Sequence, residues 1–170
     1  MSAPRVLVAV VLDQDTAQVY WPGLEPLLRG QVCSVLWDLL IVDVSERQSE
    51  NYAWWLKQIE ASWPRCRVRR LSMPDLGAPE YFADRSAQFT MGANRAVRCF
   101  GQWRSYEALW LLRCDARPAL DELQRLYDAG DLLPRPDVGP PQEYDLLHDP
   151  ERARAAMRAV GISGGRSASG

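Results

Sequence analysis

Lysine is nearly missing from this chain. Of its 20 basic residues only Lys57 is a lysine, which leaves 19 arginines. A P-loop needs its lysine directly after a glycine-rich turn, whereas Lys57 closes Trp54-Trp55-Leu56-Lys57, so a P-loop nucleotidase is excluded. A Schiff base could form only there, and nothing around Lys57 suggests one. Histidine is equally scarce: His148, the only one, lies in a proline-flanked stretch far from any serine or cysteine nucleophile, which argues against a Ser-His-Asp triad. Cys33, Cys66, Cys99 and Cys114 contain no CxxC pair and no paired histidine spacing, so zinc binding is not expected. Each cysteine sits in or beside an apolar segment, the ordinary place for a reduced buried thiol. No apolar run approaches the ~18 residues of a membrane span, and Val6–Leu12 lacks the cleavage site of a signal peptide. Reduced thiols without an export signal predict a cytoplasmic protein. A large excess of either charge is missing too. The net charge of -2 argues against general nucleic-acid affinity.

What is present suits one soluble domain: 170 residues, 47% hydrophobic and 25% charged. Arg5–Leu12, Trp37–Asp43 and Glu107–Arg113 are nearly continuous apolar runs, as strands covered on both faces require. Arg65–Leu71 alternates, with Cys66, Val68 and Leu71 inward, and suits a sheet edge. Between them, Trp21–Gln31 reads as a helix opening at Pro22. A second begins at Ser49 or Glu50, with Tyr52, Leu56, Ile59 and Trp63 on one face, and ends at Pro64. A third runs from about Asp84 to Phe100, and a fourth over Ala119–Tyr127.

This alternation predicts a three-layer α/β sandwich with a mostly parallel sheet. Ligands of such sheets gather at the carboxyl ends of the strands. Those ends read Leu12-Asp13-Gln14-Asp15, Asp43-Val44-Ser45 and Arg113-Cys114-Asp115. The α/β domain is expected over 1–130, followed by a proline-rich linker over 131–149. A short helix over 150–161, capped by Asp149 with Pro150 at its first position, and a Gly/Ser tail over 162–170 complete the chain.

No GxGxxG follows the first strand, which disfavours a dinucleotide-binding Rossmann enzyme. Three blocks instead resemble the nucleotide-sugar-binding half of GT-A-type glycosyltransferases, particularly family-2-like ones, across roughly Val6 to Leu126. Leu27-Leu-Arg-Gly-Gln31 with Trp37-Asp-Leu-Leu-Ile-Val-Asp-Val-Ser45 is similar to the family's "LL…Q…eiivvDdgS" stretch. Met91-Gly-Ala-Asn-Arg-Ala-Val97 is similar to its "G…aRN.a…a" helix, with Asn94-Arg95 in reversed order. Tyr106-Glu-Ala-Leu-Trp-Leu-Leu-Arg-Cys-Asp-Ala-Arg-Pro118 resembles "yd.llflDaDvrP".

The resemblance implies a GT-A/Rossmann-like fold that binds a nucleotide-diphospho-sugar and transfers its glycosyl group to a sugar or protein hydroxyl. It assigns the nucleoside contact to Asp43 and a Mg²⁺ or Mn²⁺ ion to Asp115. Asp13, Arg85, Asn94, Arg95 and Arg113 join Asp43 as donor-binding candidates. Arg113 stands where the family's DxD motif has its first acid. It either pairs with Asp115 and spoils the metal site, or itself contacts phosphate. No acceptor motif surrounds Asp137, Glu143, Asp145 or Asp149, so the acceptor half is expected to be shortened. The alternative is a catalytically degenerate GT-A-like binding or structural module without turnover. Among the seven tryptophans, adjacent Trp54 and Trp55 cannot both face the core, so one is available to a protein partner. Trp21 and Trp103 are weaker candidates for stacking on a base or sugar.

Overall fold

A computed structural model describes residues 5–71 and 85–135. Its five strands are β1 (Arg5–Leu12), β2 (Leu36–Asp43), β3 (Cys66–Arg70), β4 (Ala108–Arg113) and β5 (Leu133–Pro134). The helices are α1 (Gln14–Arg29), α2 (Glu50–Ser62), α3 (Arg85–Gln102) and α4 (Glu122–Ala129). The sheet order is β3-β2-β1-β4-β5, parallel except for β5, which pairs antiparallel with β4. The expected α/β class with a mostly parallel sheet is therefore the observed one. Among the described residues, no helix is long and apolar enough to cross a membrane.

The central strands are apolar along their length because both faces are covered. Val6, Leu7, Val8, Ala9 and Val10 of β1 are buried, as are Leu39–Val42 of β2 and Leu109–Leu112 of β4. On one face α1 and α2 meet through Trp21, whose ring lies 6.0 Å from Trp55 and 6.5 Å from Trp63. α3 covers the other face and comes closest at Gly92. A Cβ there would lie 2.3 Å from Val11 Cγ1 and 2.9 Å from Val44 Cγ1, so only glycine fits this approach.

Three boundaries differ most from the sequence reading. α1 begins near Gln14, two turns ahead of Pro22, because Asp13 and Thr16 form a reciprocal capping box. Pro22 and Pro26 thus lie inside the helix, each withdrawing one backbone donor. α4 starts at Glu122 rather than Ala119. Leu133-Pro134, at the head of the stretch read as linker, pairs with Leu109 and Ala108. Proline can occupy such an edge, where no ladder donor is needed. Beyond Arg135, the linker, the helix over 150–161, the tail over 162–170, His148 and the acids Asp137, Glu143, Asp145 and Asp149 lie outside the described residues.

Candidate functional site

The chain runs β1, β2, β3 outward in one direction, then crosses through α3 to place β4 on the far side of β1. The switch point of this α/β sheet is consequently the carboxyl edge between β1 and β4, the usual ligand crevice of such folds. Register brings the expected residues there. Leu12 stands opposite Asp43, and Val11 opposite Arg113. Asp13, Asp43 and Asp115 therefore finish three adjacent strands.

Each acid already has protein partners. Asp13 Oδ1 accepts from Thr16 N–H at 2.7 Å and from Thr16 Oγ1 at 3.0 Å, capping α1. Asp43 is wholly enclosed. Its Oδ1 accepts from Ser45 Oγ at 2.6 Å, Ser45 N–H at 3.2 Å and Tyr52 Oη at 2.8 Å. Its Oδ2 accepts from Gln48 Nε2 and lies 4.0 Å from Arg70 Nε. Burial, and then the Asp43 carboxylate, push the Tyr52 phenol well above its usual range, so it remains a donor. Ser45 Oγ also accepts from Gln14 N–H at 2.8 Å, while Gln14 Oε1 accepts from Ser49 N–H at 2.9 Å. The loops after β1 and β2 are thus tied together around Asp43.

Asp115 faces Arg113. The guanidinium approaches the carboxylate at two points, Nε to Oδ1 at 3.2 Å and Nη2 to Oδ2 at 3.3 Å. Both side chains are about half exposed, at 48% and 42%. Phe89 of α3 lies beneath, its ring centre 5.8 Å from Arg113 Cζ. Behind the pair, Cys114 is buried with its thiol 3.7 Å from the Thr16 carbonyl. Burial and then Asp115 raise its pKa to about 12, which keeps it an inert thiol at neutral pH. Arg117 is spent on structure: it donates to the carbonyls of Ala116 at 2.7 Å and Tyr20 at 3.3 Å, over Gly23.

The α3 candidates are spread along the helix. Arg85 is its first residue. Asn94 and Arg95 fall within one turn after Gly92 and are half-buried. Arg95 lies one turn before Cys99, whose thiol also feels Arg67 and Arg69 of β3. Trp21 is buried in the helix-helix contact, so stacking on a ligand is not its role. Trp103 stacks beneath Arg67, 4.5 Å from Cζ to ring centre. Trp55 packs inward against Tyr52, and Trp54 is 62% exposed. All four cysteines are free. Among the described residues, no group of three or more His, Cys, Asp or Glu could hold a metal ion.

Ser45, Gln48, Tyr52, Arg70 and Phe89 were not singled out from the sequence as site residues. Ser45 carried a signal, because Asp-x-Ser favours a side chain-to-backbone turn. Tyr52 carried none, since its spacing marks it only as one of the buried residues of α2.

No family model matches the chain, and no curated protein matches it. Among solved structures it is similar to residues 1–349 of S. aureus TarS, with 13% identity and a TM-score of 0.43. The match covers 74% of this chain and 31% of that one, so the chain spans about a third of its length.

Proposed function

We propose that the carboxyl edge binds a nucleotide-diphospho-sugar and that the chain transfers the glycosyl group to a hydroxyl acceptor. One observation carries this reading: Asp13, Asp43 and the Arg113–Asp115 pair end three adjacent parallel strands at the switch point. Fold class alone would not carry it, because α/β sheets of this kind host many chemistries.

In this reading Asp43 and its partners hold the β1 and β2 loops as a rigid floor for the nucleoside. Asp13 completes the rim from the start of α1. Arg113 faces the diphosphate, where negative charge grows as the glycosyl bond breaks. Stabilising that charge and holding the acceptor in line are the two needs of such a transfer. Mg²⁺ or Mn²⁺ would ordinarily supply the first through clustered carboxylates. The residues here do not fit such an ion, because Asp115 is engaged by a permanent cation and Asp13 by a helix cap.

Thermal denaturation in the presence of UDP- and GDP-sugars tests the proposal. A ligand at one hundred times its Kd stabilises the native state by about 2.7 kcal/mol. A rise in Tm of several degrees with at least one donor, together with release of its nucleoside diphosphate, is expected. No shift with any donor would refute it. A shift without release would favour the binding module without turnover.

A further inference from the structure

We infer that Arg113 takes the diphosphate of a nucleoside diphosphate directly, without a divalent cation, an inference that rests on the donor-binding reading above. A guanidinium has five N–H donors, and the Asp115 pairing engages only its Nε and Nη2 groups. Among the described residues Nη1 makes no hydrogen bond, and the side chain is half exposed at the carboxyl edge. The two-point pairing with Asp115 orients the fork, and the Phe89 ring centre lies 5.8 Å from its Cζ. A fork held in this way matches two oxygens of a diphosphate.

The pairing of the acids at this edge disfavours a metal ion. Asp13 is balanced by the amino terminus of α1, Asp43 by its donors and Arg70, and Asp115 by Arg113. A divalent cation at Asp115 would sit beside a positive charge that cannot be titrated away. A diphosphate would instead take the donors that Asp115 leaves, Nη1 and the second Nη2 hydrogen. Arg117, the next cation along the chain, has Nη1 and Nη2 engaged by backbone carbonyls.

Calorimetric titration of the full chain with UDP, GDP, CDP, ADP and dTDP, in EDTA and again in Mn²⁺, tests the inference. At least one is expected to bind in EDTA with an affinity that Mn²⁺ does not improve. Arg113→Gln should weaken that binding about tenfold or more, while its ligand-free Tm stays near that of the unaltered chain. Binding that requires Mn²⁺, or is indifferent to Arg113→Gln, would overturn this inference and leave the donor-binding reading standing. An absence of binding in both buffers would overturn both.

Discussion

β2 carries an aspartate towards each end, and the two are held in nearly the same way. Asp43, at the carboxyl edge, accepts from Tyr52 at 2.8 Å and lies 4.0 Å from Arg70. Asp38, five residues earlier and so on the opposite face, accepts from Tyr106 at 2.7 Å and lies 3.7 Å from Arg5 and 3.8 Å from Arg65. A buried carboxylate clasped by a tyrosine and an arginine is therefore not in itself the mark of a ligand site. The distinction is topological. Asp43 stands where two strand-to-helix loops meet at the switch point, and Asp38 stands at the amino edge, where the helices return.

The comparison breaks most visibly in stability. Asp43→Ala would strand the Tyr52, Ser45 and Gln48 donors at a point closed to water, and should cost about 3–5 kcal/mol in urea denaturation. A cost under about 1 kcal/mol would mean that the enclosure is not as described. Asp38→Ala should cost less, about 2 kcal/mol, because Arg65 is half exposed and can turn to water. Ligand binding sharpens the contrast: Asp38→Asn should leave nucleotide affinity unchanged in calorimetry, and Asp43→Asn should weaken it.

The amino edge has its own lock. Arg135 donates to the carbonyls of Phe100 at 2.8 Å, Trp103 at 2.6 Å and Tyr106 at 2.8 Å, closing the carboxyl end of α3. Arg135→Ala should cost about 1–2 kcal/mol without altering nucleotide affinity.

The smallest effect is one of pH. Burial, and then Asp38, raise the Tyr106 pKa to about 12 from its ordinary 10. A group that holds its proton more tightly when folded contributes stability in full below its unfolded pKa. That contribution fades as pH rises from about 10 through about 12. Cys66, raised to about 12 chiefly by burial, and Cys114 begin the same decline near pH 9. Tyr106→Phe should flatten the alkaline fall of the urea midpoint between pH 10 and 12. An unchanged slope there would remove Tyr106 from the account.

β1, β2 and β4 were legible because they are nearly continuous apolar runs, with Asp38 the one acid inside β2, and β3 is the edge its alternation predicts. The start of α1 was hidden by Pro22, which resembles a first-turn residue. The actual start lies in Asp13 and Thr16, whose reciprocal cap uses threonine where glutamate is the familiar partner. At the site, the sequence placed Asp13, Asp43 and Asp115 on one edge and offered the Arg113–Asp115 pair as one of two outcomes. It did not disclose that Asp43 is enclosed, since Gln48 and Tyr52 reach it through loop and helix geometry that no spacing rule encodes.

The central claim, that the crevice between β1 and β4 receives the nucleotide, is tested most directly by amide chemical-shift mapping. The chain would be titrated with the nucleoside diphosphate it binds best. The largest changes are expected on Asp13, Gln14, Ser45, Cys114 and Asp115. Changes concentrated instead on Arg5, Asp38, Tyr106 and Arg135, at the opposite edge of the same sheet, would contradict it.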